Sequence, residues 1–154
     1  MEKPFNIDKP TLHHYCQSLV QQKLDQAEAA MRDAQAAANE ETKSSAGDKY
    51  ETGRAMMQLE KEKIAHQRAE LLRVKKVLDH MDPTRRTERV ALGSLVATTV
   101  GWFYIAAGLG QIKVEAQPYF VISPAAPVGQ LLWDKAPDEP FVFNGKTATI
   151  KQIW

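Results

Sequence analysis

From Thr11 to Asp82 the chain contains no proline, and its only glycines there are Gly47 and Gly53. Those are the two residue types that most readily interrupt a helix. The run is rich in Ala, Gln, Glu and Lys, which favour helix. A chain with this feature is committed to long helix over its first half. Pro10 precedes the run, and Asp8 or Thr11 is placed to cap it. Pro83 closes it, because proline cannot continue a helix and moves Asp82 out of helical geometry.

Within the run, Val20, Leu24, Ala27, Met31, Ala34 and Ala38 alternate spacings of four and three, a heptad seam. A second series keeps the same spacing through Tyr50, Gly53, Met57, Glu60, Ile64, Gln67, Leu71, Val74, Leu78 and Met81, with Glu60 and Gln67 polar. Met56, Ala65, Leu72 and Val77 widen that stripe. Between the two series lies Lys43-Ser44-Ser45-Ala46-Gly47-Asp48, a turn-forming stretch. A short loop between arms of similar length forces them antiparallel. The expectation is a coiled-coil hairpin of roughly 50 Å, with its tip near residues 43–49 and its fold-back at Ser45–Gly47. In that hairpin Ala27, Ala34 and Ala38 face Met56, Met57 and Leu59. A dimerising coiled coil is the alternative, and the midpoint position of the loop favours the hairpin.

After Pro83 the physics changes. Of the aromatic residues only Phe5, Tyr15 and Tyr50 precede it. Val90 to Gly110 carries no charge, and Arg85, Arg86 and Arg89 lie just before it, so a membrane-anchored coiled-coil protein must be weighed. Against it, Gly93, Gly101, Gly108 and Gly110 cut the run into pieces of strand length. Strands are expected at 94–100, 102–107, 112–115, 119–122, 141–143 and 147–153, with a short helix over 127–133 opened by Pro127. Asn144-Gly145 is a hairpin signal. The fold class is α+β. Residues 1–82 form the helical hairpin, and residues 83–154 form a small antiparallel sheet carrying one short helix.

Lys and Arg number 20 and Asp and Glu 19, for a net charge of +1, which argues against binding nucleic acid by overall charge. The single cysteine, Cys16, excludes an intrachain disulfide and zinc sites built on several cysteines. Met1 to Pro10 is polar and too short for a signal peptide, so a cytoplasmic protein is expected. His13, His14 and Cys16 lie close together but lack a second ligand pair, and no phosphate-binding glycine loop is present. Near the turn, Glu40, Glu41, Asp48 and Glu51 offer carboxylates of the kind Mg²⁺ accepts. Behind it, Lys61, Lys63, Arg68, Arg73, Lys75 and Lys76 outnumber Glu60, Glu62 and Glu70, a stretch able to track a phosphate backbone or simply to pair along the helix.

This order of parts resembles the Gre family of bacterial transcription elongation factors. Gly47-Asp48-Lys49-Tyr50-Glu51 and the helix after it resemble the family's tip and downward arm. Tyr119-Phe120-Val121-Ile122-Ser123-Pro124-Ala125-Ala126-Pro127-Val128-Gly129-Gln130-Leu131-Leu132 resembles its signature, a Ser-Pro pair followed by Ala-Leu and a further Leu or Ile. Lys135-Ala136-Pro137-Asp138-Glu139 is similar to its Lys-x-Gly-Asp turn, and Thr149-Ile150-Lys151-Gln152-Ile153 to its ending. The resemblance covers about Thr11 to Trp154.

What the resemblance implies is an FKBP-like sheet domain that docks on RNA polymerase at the rim of its secondary channel, and a hairpin whose tip reaches the active site. There the tip would share an Mg²⁺ ion with the polymerase to assist cleavage of backtracked RNA. The factor lends ligands and is not an enzyme alone. On this reading Asp48 and Glu51 are the tip carboxylates and metal ligands. Ser123 and Pro124 dock the sheet domain, and Arg54 and Lys61 face the RNA or the channel wall. Contact with nascent RNA is indirect, no membrane is involved, and a monomer is expected. The sequence departs from the family at two places. Anchoring on Tyr50 puts Lys43 and Ala46 at the positions of the tip acids, and Ile122 replaces the acid before the Ser-Pro pair. A non-cleaving secondary-channel modulator is therefore a rival reading, and a peptidyl-prolyl isomerase is a weaker one.

Overall fold

A computed structural model describes residues 8–44 and 47–154, with side chains described for residues 8–40 and 52–154. It is an α+β structure. Two long helices, α1 (Lys9–Ser44) and α2 (Gly47–His80), precede a sheet of six strands. These are β1 (Leu95–Thr98), β2 (Gly101–Ile105), β3 (Gly110–Val114), β4 (Gln117–Ile122), β5 (Pro140–Phe143) and β6 (Lys146–Ile153), and the short helix α3 (Pro127–Leu132) lies between β4 and β5. Val90–Gly110, the candidate membrane span, builds β1 and β2. No described helix is long and apolar enough to cross a membrane. Of the expected fold-back, Ser45 and Ala46 lie outside the described residues.

By its internal contacts the chain divides into two units. One joins the residues up to Gln17 with Lys76–Trp154, and the other is Ser18–Lys75. Both long helices therefore contribute to both units, whereas the break in composition falls at Pro83. Asp8 caps α1, accepting the Thr11 N–H on its carboxylate at 2.8 Å.

In the helical unit the helices run antiparallel. Glu28 pairs with Arg68 at 3.6 Å, and further along α1 Gln35 meets Lys61, earlier in α2. The buried seam is thin, with Ala27 and Ala34 packed on Ile64, and Ala30 and Met31 at its margin. Val20 and Leu24 are buried as the heptad predicts. Met56 and Leu59 are not seam residues. They are 61% and 66% exposed, which corrects the expected pairing with the α1 alanines. Glu60 and Gln67 are exposed as well. With both of those seam positions polar, Ile64 carries the contact between them.

In the sheet unit the strand order is β3-β4-β2-β1-β6-β5. Neighbours are antiparallel except β2 and β4, which pair in parallel through Phe103↔Phe120 and Ile105↔Ile122. Val96 pairs with Phe103 on one side and Ile153 on the other, so all three point to one face. That face carries the main core, with Ile105, Leu132, Phe141 and Ile150. Leu95 pairs with Tyr104 and points to the opposite face. All of β1 is buried, so both faces of the sheet are covered there.

Two hairpins close on two-residue turns with both residues at positive φ. Asn144 and Gly145 (φ 51° and 79°) form the turn that their sequence announces. Glu115 and Ala116 (φ 52° and 68°) form the second, between Val114 and Gln117, without the residues that usually favour it.

Candidate functional site: a locked loop and a basic groove

Ser123 and Pro124 lie in the loop between β4 and α3, and the reason for its shape is local. The Ser123 hydroxyl oxygen accepts the Ala125 N–H at 3.1 Å, and the Ser123 carbonyl accepts the Ala126 N–H at 3.1 Å. Pro127 opens α3 with a fixed φ, where the missing N–H costs nothing. Gln130 reaches back from α3, and its side-chain amide donates to the Ala125 carbonyl at 2.8 Å. Gly129 completes the lock. A Cβ there would lie 2.1 Å from the Ser123 oxygen and 3.0 Å from that of Pro124. Only a residue with no side chain lets the loop settle on the helix.

The exit from α3 is tied equally well. The Trp133 N–H closes on the Gly129 carbonyl at 3.0 Å. Asp134 and Lys135 exchange backbone hydrogen bonds with Val90, and Arg89 donates to the Asp134 carbonyl at 2.6 Å. Leu131 and Trp133 stand 45% and 46% exposed beside this framework. The result is a rigid turn with a half-buried Ser-Pro pair and apolar neighbours, suited to contact by a partner protein.

Arg54 and Lys61 are brought together. They line a groove of about 290 Å³ with Gln35, Asn39, Met57 and Gln58. The Lys61 ammonium donates to Gln35 Oε1 at 2.7 Å, and Gln35 Nε2 donates to Asn39 Oδ1 at 3.1 Å, so the lysine orients an amide chain. Among the described residues no carboxylate lines the groove. Two cations among amide donors can receive an oxyanion. The sequence flagged the cations; the amides on α1 were missed, because only the antiparallel register brings them opposite.

Asp48 and Glu51 fall in the first turns of α2, and their side chains lie outside the described residues. Among the described residues no group of three or more His, Cys, Asp and Glu side chains converges as a metal site would require. His13 and Cys16 are not ligands in waiting. Both are buried, and both imidazole nitrogens of His13 are engaged, with Tyr104 Oη at 2.7 Å and the Leu78 carbonyl at 3.0 Å. Burial pushes the Cys16 thiol up to about 12, which makes it unreactive. The seam signals this if it is carried back from Val20 to Cys16 and His13.

Set against family models, curated proteins and solved structures, the chain matches none.

Proposed function

We propose that the chain is a Gre-like factor that binds bacterial RNA polymerase through the secondary channel and acts on backtracked or paused complexes. The observation that supports this reading is the Ser123-Pro124 loop clamped onto Gly129. A loop held this firmly presents the same face to a partner each time, which lowers the ordering cost of docking. On this reading the FKBP-like sheet domain docks through Ser123 and Pro124, and Arg54 and Lys61 meet RNA or the channel wall. Asp48 and Glu51 supply tip carboxylates to an Mg²⁺ ion held jointly with the polymerase. The factor works as a cytoplasmic monomer and has no catalytic activity of its own.

A pull-down with core RNA polymerase, followed by addition to stalled, backtracked complexes, tests the reading. Retention on the polymerase and shortened transcripts are expected, with shortening lost when Asp48 and Glu51 are both replaced by Ala. Failure to bind core polymerase overturns it.

A second reading, a non-cleaving modulator of the same channel, is favoured by Lys43 and Ala46 at the positions where the resembling family carries tip acids. Binding without any shortening selects that reading.

A further inference from the structure

We propose that His13 is an acid-sensitive latch, fastening the start of α1 and the end of α2 to the sheet through two hydrogen bonds, one of which only a neutral imidazole can accept. The Leu78 carbonyl can only accept, so Nε2 carries the ring proton and donates to it at 3.0 Å. Nδ1 is then bare, and the Tyr104 O–H donates to it at 2.7 Å. Leu78 lies in the last turn of α2, and its carbonyl also accepts the Met81 N–H at 3.2 Å, so the imidazole is its second partner at that end. His13, Tyr104 and Leu78 are 1%, 0% and 0% exposed.

Protonation reverses one of the two bonds. Nδ1 becomes a donor facing the Tyr104 oxygen, and the phenol must turn its own hydrogen away. Among the described residues Tyr104 Oη has no second partner to receive that hydrogen. A buried donor without an acceptor is costly.

The charges around the ring give little help. On α1, Lys9 and His14 flank it and oppose a second positive charge, and the Cys16 thiol stays neutral. The Lys9 ammonium is itself buried, donating to the Arg85 and Gly93 carbonyls, with Asp82 near enough to feel it. On α2, Asp79 favours the imidazolium, but it stands at the exposed surface, where Gln17 donates to it at 3.0 Å. From β2 the ring meets the neutral Tyr104 alone. Burial is the largest influence and holds the imidazole below its ordinary 6.5, while the Leu78 carbonyl works against it. The unfolded chain therefore takes up the proton first. The contribution of the latch is complete above about pH 6.5 and declines as the pH falls below it.

The test follows the His13 ring by NMR and backbone amide exchange over residues 12–16 and 103–105, in the full chain, from pH 7.5 to 4.5. In the unaltered protein the ring should titrate below 6.5. Amide protection, corrected for intrinsic rates, should fall by up to about tenfold per pH unit from 6.5 down to the pH at which the folded ring titrates, and level off below it. His13→Gln keeps an acceptor for Tyr104 and a donor for Leu78 but does not titrate, so its protection should stay flat. Tyr104→Phe removes the donor that favours a bare Nδ1, so its ring should titrate closer to 6.5 and its loss of protection with acid should be smaller. An equal loss in His13→Gln over the same range overturns the latch, as does a ring that titrates at 6.5 with no change in the amides. Should His13→Gln not fold, Tyr104→Phe decides, and a ring titration and an amide loss unchanged from those of the unaltered protein overturn the proposal.

Discussion

The helical unit and the sheet unit hold themselves together by different means. In the sheet unit large side chains are fully buried: Phe103, Tyr104, Tyr119, Leu95 and Ile150 are each 1% exposed or less. In the helical unit Val20 and Leu24 are buried, and further along the helices the cluster is two alanines and one isoleucine, with Met31 only half-buried beside it. Its cross-helix polar contacts are exposed, and exposed ion pairs contribute little. The lesson concerns what regular spacing means. A seam of heptad period specifies register even when its residues are too small to supply much burial energy. The helical unit is specified more strongly than it is stabilised.

Perturbations of unequal size can break that contrast. The largest effect should come from Phe103→Ala, which empties the main core and costs about 3–5 kcal/mol in urea unfolding. Comparable in scale is the protection of the thiol. Raising Cys16 from 9.0 to about 12 lowers its thiolate fraction near neutrality by about a thousandfold. Alkylation at pH 7.5 should therefore be slow in the native protein and rapid in urea. Gly129→Ala comes next. Its Cβ collides with backbone that has nowhere to move, and the expected loss is about 1–3 kcal/mol or somewhat more, measured by thermal unfolding. Ile64→Ala should cost about 2 kcal/mol, the low end for such a change, read by limited proteolysis of the helices. If it costs as much as Phe103→Ala, the contrast between the units fails. Ala116→Gly should stabilise by roughly 1 kcal/mol, because a residue with a side chain is strained at φ 68°. Arg68→Ala should change stability by less than about 1 kcal/mol.

Much of the fold was legible because its signals are local. The proline-free run marked both helices, and the glycines marked the breaks between strands. Asn144-Gly145 marked its hairpin by chemistry alone. The Glu115-Ala116 turn was invisible, since neither residue favours positive φ, and it is set by the pairing of Val114 with Gln117. The parallel pairing of β2 with β4 was equally hidden, because strand order depends on packing across the whole sheet. At the site, Arg54, Lys61, Ser123 and Pro124 could be named from sequence. The partners that orient them, Gln35, Asn39 and Gly129, could not, because each acts across a tertiary contact. Met56 and Leu59 misled for the opposite reason: their hydrophobicity suggested a seam, but their positions on the helix turn them to solvent.

The burial of β1 on both faces sets a limit on taking the protein apart. A cut at Pro83 follows the change in composition, yet it would strip Leu12, His13, Cys16 and Leu78 from the half that holds the strands. Tyr104 would then lose its partner His13, and the severed fragment should aggregate or recruit detergent. A cut that respects the contacts would instead keep both helix stubs and join them with a short linker in place of 18–75.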